Sequence, residues 1–596
     1  FQEESVTPQG AMMETTSDGL PRQGAPEPPV PLAHGNRELI VIAKEQAGLR
    51  AKPDGLASAT GFDVSGLSDL LASTRARMTP LFGTNEERVQ SDPLATAAAA
   101  GTGPALHLFY HVEAPDDALD ELAAELLKQD AVEAAYVKPA GELPSLPLFE
   151  EEVMLQPRED DAPPVSPDFT ARQGYLDAAP GGIDARYAWT QPGGSGAGVR
   201  VIDCEWGWRF THEDLLQNQG GVVYGTASTD TASVNHGTAV LGEISGDRNR
   251  LGITGIAPDA VISAAAFSGP TATTIRAAAD RLNIGDIILL EIHRAGPNTP
   301  NPPQGQRGYI AVEWWPDDFA AIRYAVEKGI TVVEAAGNGF QDLDAAVYNT
   351  RPTGFPASWT NPFNPANPSS GAVVVGAGAP PPGTHGNNWG PDRSRLDYSN
   401  YGRRVDAQGW GREVTTCGYG DLQGGSSPDL WYTDGFSGTS SASPIVVGAL
   451  ACVQGVLKAS GRPPLTPARA RELLRATGSP QQDAPDRPAT QRIGNRPNLR
   501  QLISSATQAV GPWTGVQFTG SVPANSTTCW YTFNWPAHWH MVWTVVPTTP
   551  RPGGPQIRLQ VKVERASDSY MTYWLCVTNL TTVPVGIEGR YCVLGA

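Results

Sequence analysis

Cysteine is scarce in this sequence, with six residues in 596, and their spacing is not that of a metal site. Three of them, Cys529, Cys576 and Cys592, lie close together in the chain. A bridge between two of these and a role as small buried apolar side chains are equally open. Basic residues are also in the minority: 43 Lys and Arg stand against 62 Asp and Glu, a net charge of −19. That balance argues against a nucleic-acid partner and for solubility. No run of 18 apolar residues occurs, so no membrane-spanning helix is expected. The opening residues, Phe1-Gln2-Glu3-Glu4, have neither the basic nor the apolar region of a secretory leader. A leader is therefore expected to be absent or already removed.

A chain of 596 residues is too long for one core, and its length fits about three or four domains. Residues 1–35 are rich in Pro, Gly, Glu and Gln and are expected to be disordered. Residues 36–138 then show a strand–helix rhythm. Glu38–Ala43 reads as a strand, Leu67–Met78 as a helix, and a loose Ala/Gly-rich insert follows. Ala105–Val112 is a strand, Asp116–Lys128 a helix with Leu119, Leu122 and Leu126 on one face, and Val132–Val137 a closing strand. This is an α+β pattern of helices on a sheet. Residues 139–173 hold many Pro and Glu and read as an exposed linker.

From 174 to 508, apolar strands alternate with helices. Val199–Asp203, Ala260–Ala266, Asp286–Ile292, Ile330–Ala336 and Ala372–Val375 read as strands; Ile275–Leu282 and Asp317–Lys328 read as helices. Alternation of this kind predicts a parallel sheet with helices on both faces. Residues 509–596 change character. Six alternating segments between Val516 and Leu594, spaced by turn signals, predict a small antiparallel sandwich. Its tryptophans, Trp530, Trp535, Trp539, Trp543 and Trp574, suit a core, with a carbohydrate- or protein-binding face as the alternative.

Four short motifs carry chemistry. Phe436–Pro444, with Gly438-Thr439-Ser440-Ser441-Ala442-Ser443, leads into the apolar run Ile445–Leu457. This reads as a tight turn feeding a buried helix with Ser440 at its start, where free backbone N–H groups favour developing negative charge. Taken alone, the serine is better read as the N-cap of a core helix; the motifs upstream overturn that reading. Upstream, Asp203 ends an apolar strand, His236-Gly237-Thr238 opens a helix, and Ala335-Ala336-Gly337-Asn338-Gly339 follows another strand. Together and in this order the motifs resemble those of the subtilisin-like serine peptidases, the subtilase or S8 family. The resemblance spans roughly residues 170–505.

That resemblance implies a fold and a mechanism. The fold is α/β, a subtilisin-like parallel sheet with helices on both faces. A ferredoxin-like α+β prodomain would precede it, acting as the chain's own inhibitor, and the β-sandwich would follow. Ser440 would be the nucleophile, His236 its general base, Asp203 the carboxylate that orients the imidazole, and Asn338 an oxyanion donor. His212, in Thr211-His212-Glu213-Asp214-Leu215, is a rival base; similar segments of the family have no catalytic role, which favours His236. Glu291, Ile292 and His293 stand where relatives line the P1 pocket with Ser-Leu-Gly. Charged groups there, including Arg294, would select substrate charge or pair with one another. A Pro/Gly-rich insertion, Pro297–Gly308, is expected beside the cleft.

The family reading is a secreted or periplasmic endopeptidase, monomeric, made as a zymogen and acting on proteins or peptides. No cofactor is required; calcium is common in the family, but no acidic loop here is specific enough to assign a site. Two alternatives are an inactive or inhibited binding protein on the same fold and a peptide-joining transpeptidase.

Overall fold

The computed structural model describes residues 36–52, 55–83, 85–144, 157–508, 513–537, 539–567 and 570–594. The segment 1–35 and most of the first half of the linker, 145–156, lie outside the described residues.

The N-terminal domain, expected from the sequence to be a prodomain, is built on β1 (Glu38–Ala43), α1 (Ser65–Thr74), β2 (Arg77–Pro80), β3 (Phe109–Glu113), α2 (Leu119–Leu126) and β4 (Val132–Lys138). The antiparallel sheet runs β2-β3-β1-β4, the order expected of a ferredoxin-like unit. All six residues of β1 are buried because both of its faces are covered. Leu39, Val41 and Ala43 pack on α1 and α2, while Ile40 and Ile42 join the core of the next domain. The Ala-rich insert is more ordered than its composition indicated. It forms helices Glu86–Gln90 and Pro93–Ala99, capped by the side chains of Asn85 and Asp92.

The linker is not exposed at its start. The chain passes from β4 into the two-residue β5 (Gly141–Glu142), and Gly141, Leu143 and Pro144 are buried.

The central domain contains β6 (Arg200–Glu205), β7 (Gln219–Tyr224), α3 (Thr231–Ser245), β8 (Val261–Ala266), α4 (Thr271–Asp280), β9 (Ile287–Leu290), β10 (His293–Ala295) and β11 (Tyr309–Ala311). It continues with α5 (Pro316–Glu327), β12 (Thr331–Ala335), β13 (Val373–Gly378), β14 (Ala407–Trp410), β15 (Val414–Cys417), β16 (Tyr432–Phe436) and α6 (Thr439–Ala459). Seven strands form a parallel sheet in the order β14-β13-β12-β9-β6-β8-β7. Period-two alternation divides their side chains between two cores. Val201, Leu289 and Val333 face α3 and α6; Ile202, Ile288 and Val332 face α4 and α5. Helix α6 is buried from Thr439 through Leu457. It is apolar and long enough to cross a bilayer, and here it is the core helix of the domain.

The C-terminal strands are β17 (Trp513–Val522), β18 (Thr527–Pro536), β19 (Met541–Pro547), β20 (Ile557–Arg565), β21 (Tyr570–Asn579) and β22 (Val585–Val593). They make two antiparallel sheets, β17-β22-β19 and β18-β21-β20, around Val522, Trp543, Leu575 and Ile587. Cys529 bridges Cys576, and Cys592 is free.

A buried ionic cluster joins the prodomain to α5. Lys138 Nζ lies 2.5 Å from Asp317, 2.8 Å from Asp318 and 2.9 Å from Glu38. Arg294 closes the cluster, 2.6 Å from Glu38. Tyr136 donates to Asp317 at 2.9 Å. Asp317 and Asp318 occupy the first turn of α5, where the helix dipole favours their charge. Removing the lysine strands two buried carboxylates. Lys138→Ala should therefore destabilise the full-length chain by about 3–5 kcal/mol, measured by urea unfolding. An unchanged midpoint would refute the role given to this cluster.

Candidate active site

Ser440 lies in the first turn of α6, and the residue before that helix, Gly438, has φ 98°. A side chain at Gly438 would place its Cβ 2.4 Å from the carbonyl oxygen of Pro144. Close approach of backbone to that oxygen therefore requires glycine here. Ser440 Oγ donates to the same oxygen at 2.9 Å.

Asn338 follows β12 between two glycines with little room. Gly337 has φ 96°, and a Cβ on Gly339 would come within 2.0 Å of the Tyr309 carbonyl. Its Oδ1 accepts from both the backbone N–H and the hydroxyl of Thr439, each at 2.9 Å. That pairing fixes the amide and turns Nδ2 outward, where it donates to Pro144 O at 2.5 Å. Ser440 and Asn338 thus converge on one carbonyl oxygen.

His236 stands in α3, whose N-terminus is capped by the Asp230 side chain. Its ring packs edge-on against Phe436, 5.4 Å between centroids. Burial lowers its pKa to about 4, so the imidazole is neutral. Nδ1 lies 2.8 Å from Glu205 Oε2. With the proton on Nδ1 donated to that carboxylate, Nε2 keeps its lone pair; Nε2 is buried and has no partner.

The carboxylate on His236 was expected to be Asp203, and the structure corrects this to Glu205. Asp203 Oδ2 instead accepts from the Trp208 indole N–H at 2.7 Å. Residues 203 and 205 are two apart on β6, so both point to the face covered by α3 and α6. The glutamate, one step farther along and one methylene longer, is the one that meets the ring. Sequence reasoning missed Glu205; alternation along β6 puts it on the same face as Asp203 as a second candidate but does not choose between them.

The expected substrate-binding trio also divides differently. Glu291 does not face a pocket. It is fully buried behind the nucleophile's turn, with Oε1 2.5 Å from Ser443 Oγ. Ile292 packs against the prodomain tail, its Cδ1 2.5 Å from where a Gly141 Cβ would stand. His293 offers backbone: β10 pairs antiparallel with β5, His293 opposite Glu142 and Arg294 opposite Gly141. The ionisable groups do not pair with one another, since Arg294 is taken by Glu38 and Asp318 of the ionic cluster.

The insertion does reach the cleft and supplies Gln306, and Tyr309 follows it at the start of β11; composition gave no reason to single out either. Gln306 Nε2 donates to the Leu143 carbonyl at 2.7 Å, and the Tyr309 hydroxyl donates to Glu142 Oε1 at 2.6 Å. His212 lies elsewhere, bonded to the Trp431 carbonyl at 2.8 Å and stacked edge-on to Tyr432.

Residues 209–495 match the model of the Subtilase family, peptidase S8. The chain carries a subtilase domain. The match begins after β6, so Asp203 and Glu205 lie outside it. A probable subtilase-type serine protease of Deinococcus radiodurans is 26% identical over 50% of this chain and 38% of its own length. An extracellular protease of Xanthomonas campestris pv. campestris is 32% identical over 26% of this chain and 21% of its own. Subtilisin Savinase of Lederbergia lenta is 26% identical over 44% of this chain and 77% of its own. The chain thus spans well under half the length of the first two of these relatives. Among solved structures, fervidolysin from Fervidobacterium pennivorans aligns with a TM-score of 0.45 at 16% identity, covering 81% of this chain and 63% of that one. The epidermin leader peptide processing protease of Staphylococcus aureus aligns with a TM-score of 0.45 at 17% identity, covering 80% and 99%.

In this subtilase domain, the Tyr309 hydroxyl makes the shorter of two side-chain hydrogen bonds to Glu142, the other coming from Gln306 at 3.4 Å. Tyr309→Phe should weaken binding of a peptide ending Gly-Glu-Leu-Pro to the processed protein about ten-fold. Titration calorimetry of the two proteins checks this; equal affinities would remove Tyr309 from the recognition of Glu142.

Proposed function

We propose that this chain is a serine endopeptidase, made as a zymogen and exported, in which residues 139–144 fill the cleft until the bond after Pro144 is cut. One observation carries the reading: the Pro144 carbonyl oxygen receives hydrogen bonds from both Asn338 Nδ2 and Ser440 Oγ. That is where the carbonyl of a scissile bond belongs, with the nucleophile on one side and an oxyanion donor on the other. The antiparallel pairing of β5 with β10 presents the tail as a substrate backbone would be presented. The extracellular location of one relative supports export.

In this mechanism His236 Nε2 takes the proton of Ser440 as Oγ attacks, and later returns it to the leaving amine. Glu205 holds the ring and faces the imidazolium that forms. The amide of Asn338 and the backbone N–H of Ser440 bind the oxyanion. Burial of the whole site, with Ser440 and Asn338 fully enclosed under the tail, makes each of these interactions stronger than it would be in water.

Purified full-length protein should cleave itself to give a fragment beginning at Ser145, and Ser440→Ala should stay intact; N-terminal sequencing reads both. A Ser440→Ala protein that trims itself when pure would sink the proposal. Labelling of Ser440 by a fluorophosphonate separates the enzyme from an inactive binding protein, and product mass spectrometry separates hydrolysis from peptide joining. Asn338→Ala should lower kcat on the order of 10²–10³-fold, the size seen for one oxyanion donor of subtilisin, with little change in KM. A change confined to KM would place Asn338 in ground-state binding instead.

A further inference from the structure

Four carboxyl groups are buried around His236 without a cation among them. Asp203, Glu205, Glu243 and Glu291 are all fully enclosed, and among the described residues none is bridged to a lysine or arginine. Four negative charges in such a place are untenable, because buried carboxylates without counter-charge take up protons. Hydrogen-bond geometry decides where the protons sit.

Glu291 is the simplest case. Ser443 has one hydroxyl proton, and its Oγ lies 2.8 Å from the Thr439 carbonyl, which can only accept. That proton is shared between the Thr439 carbonyl and Glu291 Oε1, 2.5 Å away. Burial without a counter-charge pushes the Glu291 carboxyl well above the usual range. Glu243, with neither oxygen partnered, has nothing to support a charge either.

Asp203 and Glu205 remain. Asp203 Oδ2 is occupied by the Trp208 N–H and Glu205 Oε2 by His236. The other two oxygens, Asp203 Oδ1 and Glu205 Oε1, are buried with no donor from elsewhere. The two residues stand side by side on one face of β6, each with one oxygen satisfied and one buried oxygen unpartnered. One proton between them satisfies both. We propose that Glu205 is the anionic partner of His236 and that Asp203, protonated, is a positioning residue that donates its carboxyl proton to Glu205. The chain Trp208–Asp203–Glu205–His236 then runs donor to acceptor up to the anion and holds the imidazole from behind. Burial pushes the pKa of each carboxyl well up, and contact with Glu205 raises Asp203 further while contact with Asp203 lowers Glu205. The other titratable groups facing the pair are Glu243 from α3, Glu291 after β9, His293 from β10, Cys204 between them and Tyr419 beyond β15.

The proposal rests on the peptidase reading, and its test separates the two. Wild type and three variants, after processing, are compared by kcat/KM on a short peptide and by the rate of fluorophosphonate labelling, across pH. Glu205→Gln should lose on the order of 10³–10⁴-fold, as when the carboxylate of a serine-peptidase triad becomes an amide. Asp203→Ala removes the donor and should lose about 10–100-fold. Asp203→Asn should recover most of that loss, to within about ten-fold of wild type, because its amide donates to Glu205 and its oxygen still accepts from Trp208. The acid limb of the pH profile, which reports His236, should move to lower pH in Glu205→Gln, where a negative neighbour is lost, and stay in place in Asp203→Asn. Asp203→Asn that is as impaired as Asp203→Ala, or that shifts the acid limb, overturns the assignment. If Glu205→Gln fails to fold, the Asp203→Asn arm still decides. A wild-type protein that does not label at Ser440 overturns the peptidase reading itself, and this proposal with it.

Discussion

The first turn of α6 cannot move, and the site is referenced to it. The helix is enclosed from Thr439 to Leu457, so shifting it would open the central core on the face shared by α3 and the sheet. Asn338 and Glu291 are tied to this turn by hydrogen bonds, and the turn is tied to β14. Asn338 holds the N–H and hydroxyl of Thr439, Ser441 donates to the Trp410 carbonyl at 2.8 Å, and Glu291 meets Ser443. Ser440 and Asn338, the proposed nucleophile and oxyanion donor, are therefore positioned relative to each other by backbone that is itself immobilised. Such fixed donors owe no reorganisation when charge develops.

Beneath that turn, the electrostatic design is unusual in having acids where a counter-cation might be expected. The nearest arginine of the trio region, Arg294, is drawn away into the prodomain cluster. Lys138 and Arg294 thus lie at the seam with the N-terminal domain, while the floor of the site is acidic and buried. Asp203, Glu205, Glu243 and Glu291 are raised by burial, and His236 is lowered by it. The same exclusion of water acts in opposite senses on acids and bases, since it disfavours whichever form is charged. A neutral imidazole and a mostly neutral acid floor are two consequences of one enclosure.

The N-terminal domain, the proposed prodomain, contributes in two ways. Its sheet is not a separate body with a solvent-facing side, because Ile40, Ile42, Phe109 and Tyr136 complete the core over α4 and α5. Its last strand leads into Gly141–Glu142, which pairs with β10. Lys138, at the end of β4, is pinned to Asp317 and Asp318 a few residues before that pairing.

Periodicity and short motifs in the sequence determined the architecture. Apolar β-branched runs marked β6, β9, β12 and β13, the helix before β4 showed its leucine face, and the six tail strands fell close to their observed places. Local sequence also marked Ser440, His236 and Asn338, because a glycine-framed turn before a strongly apolar helix, or after a strand, is a property of neighbouring residues. The identity of the carboxylate was not local in this sense. Asp203 and Glu205 share a strand face, and only the position of α3 above β6 decides which of them touches the imidazole. Glu291 looked like part of a pocket wall, and only the packing of α6 over the end of β9 turned it inward to Ser443. The role of Pro144 depended on a contact spanning 296 residues to Ser440. Such pairings are set by how the sheet, the helices and the prodomain tail close on one another, and spacing along the chain carries no record of them.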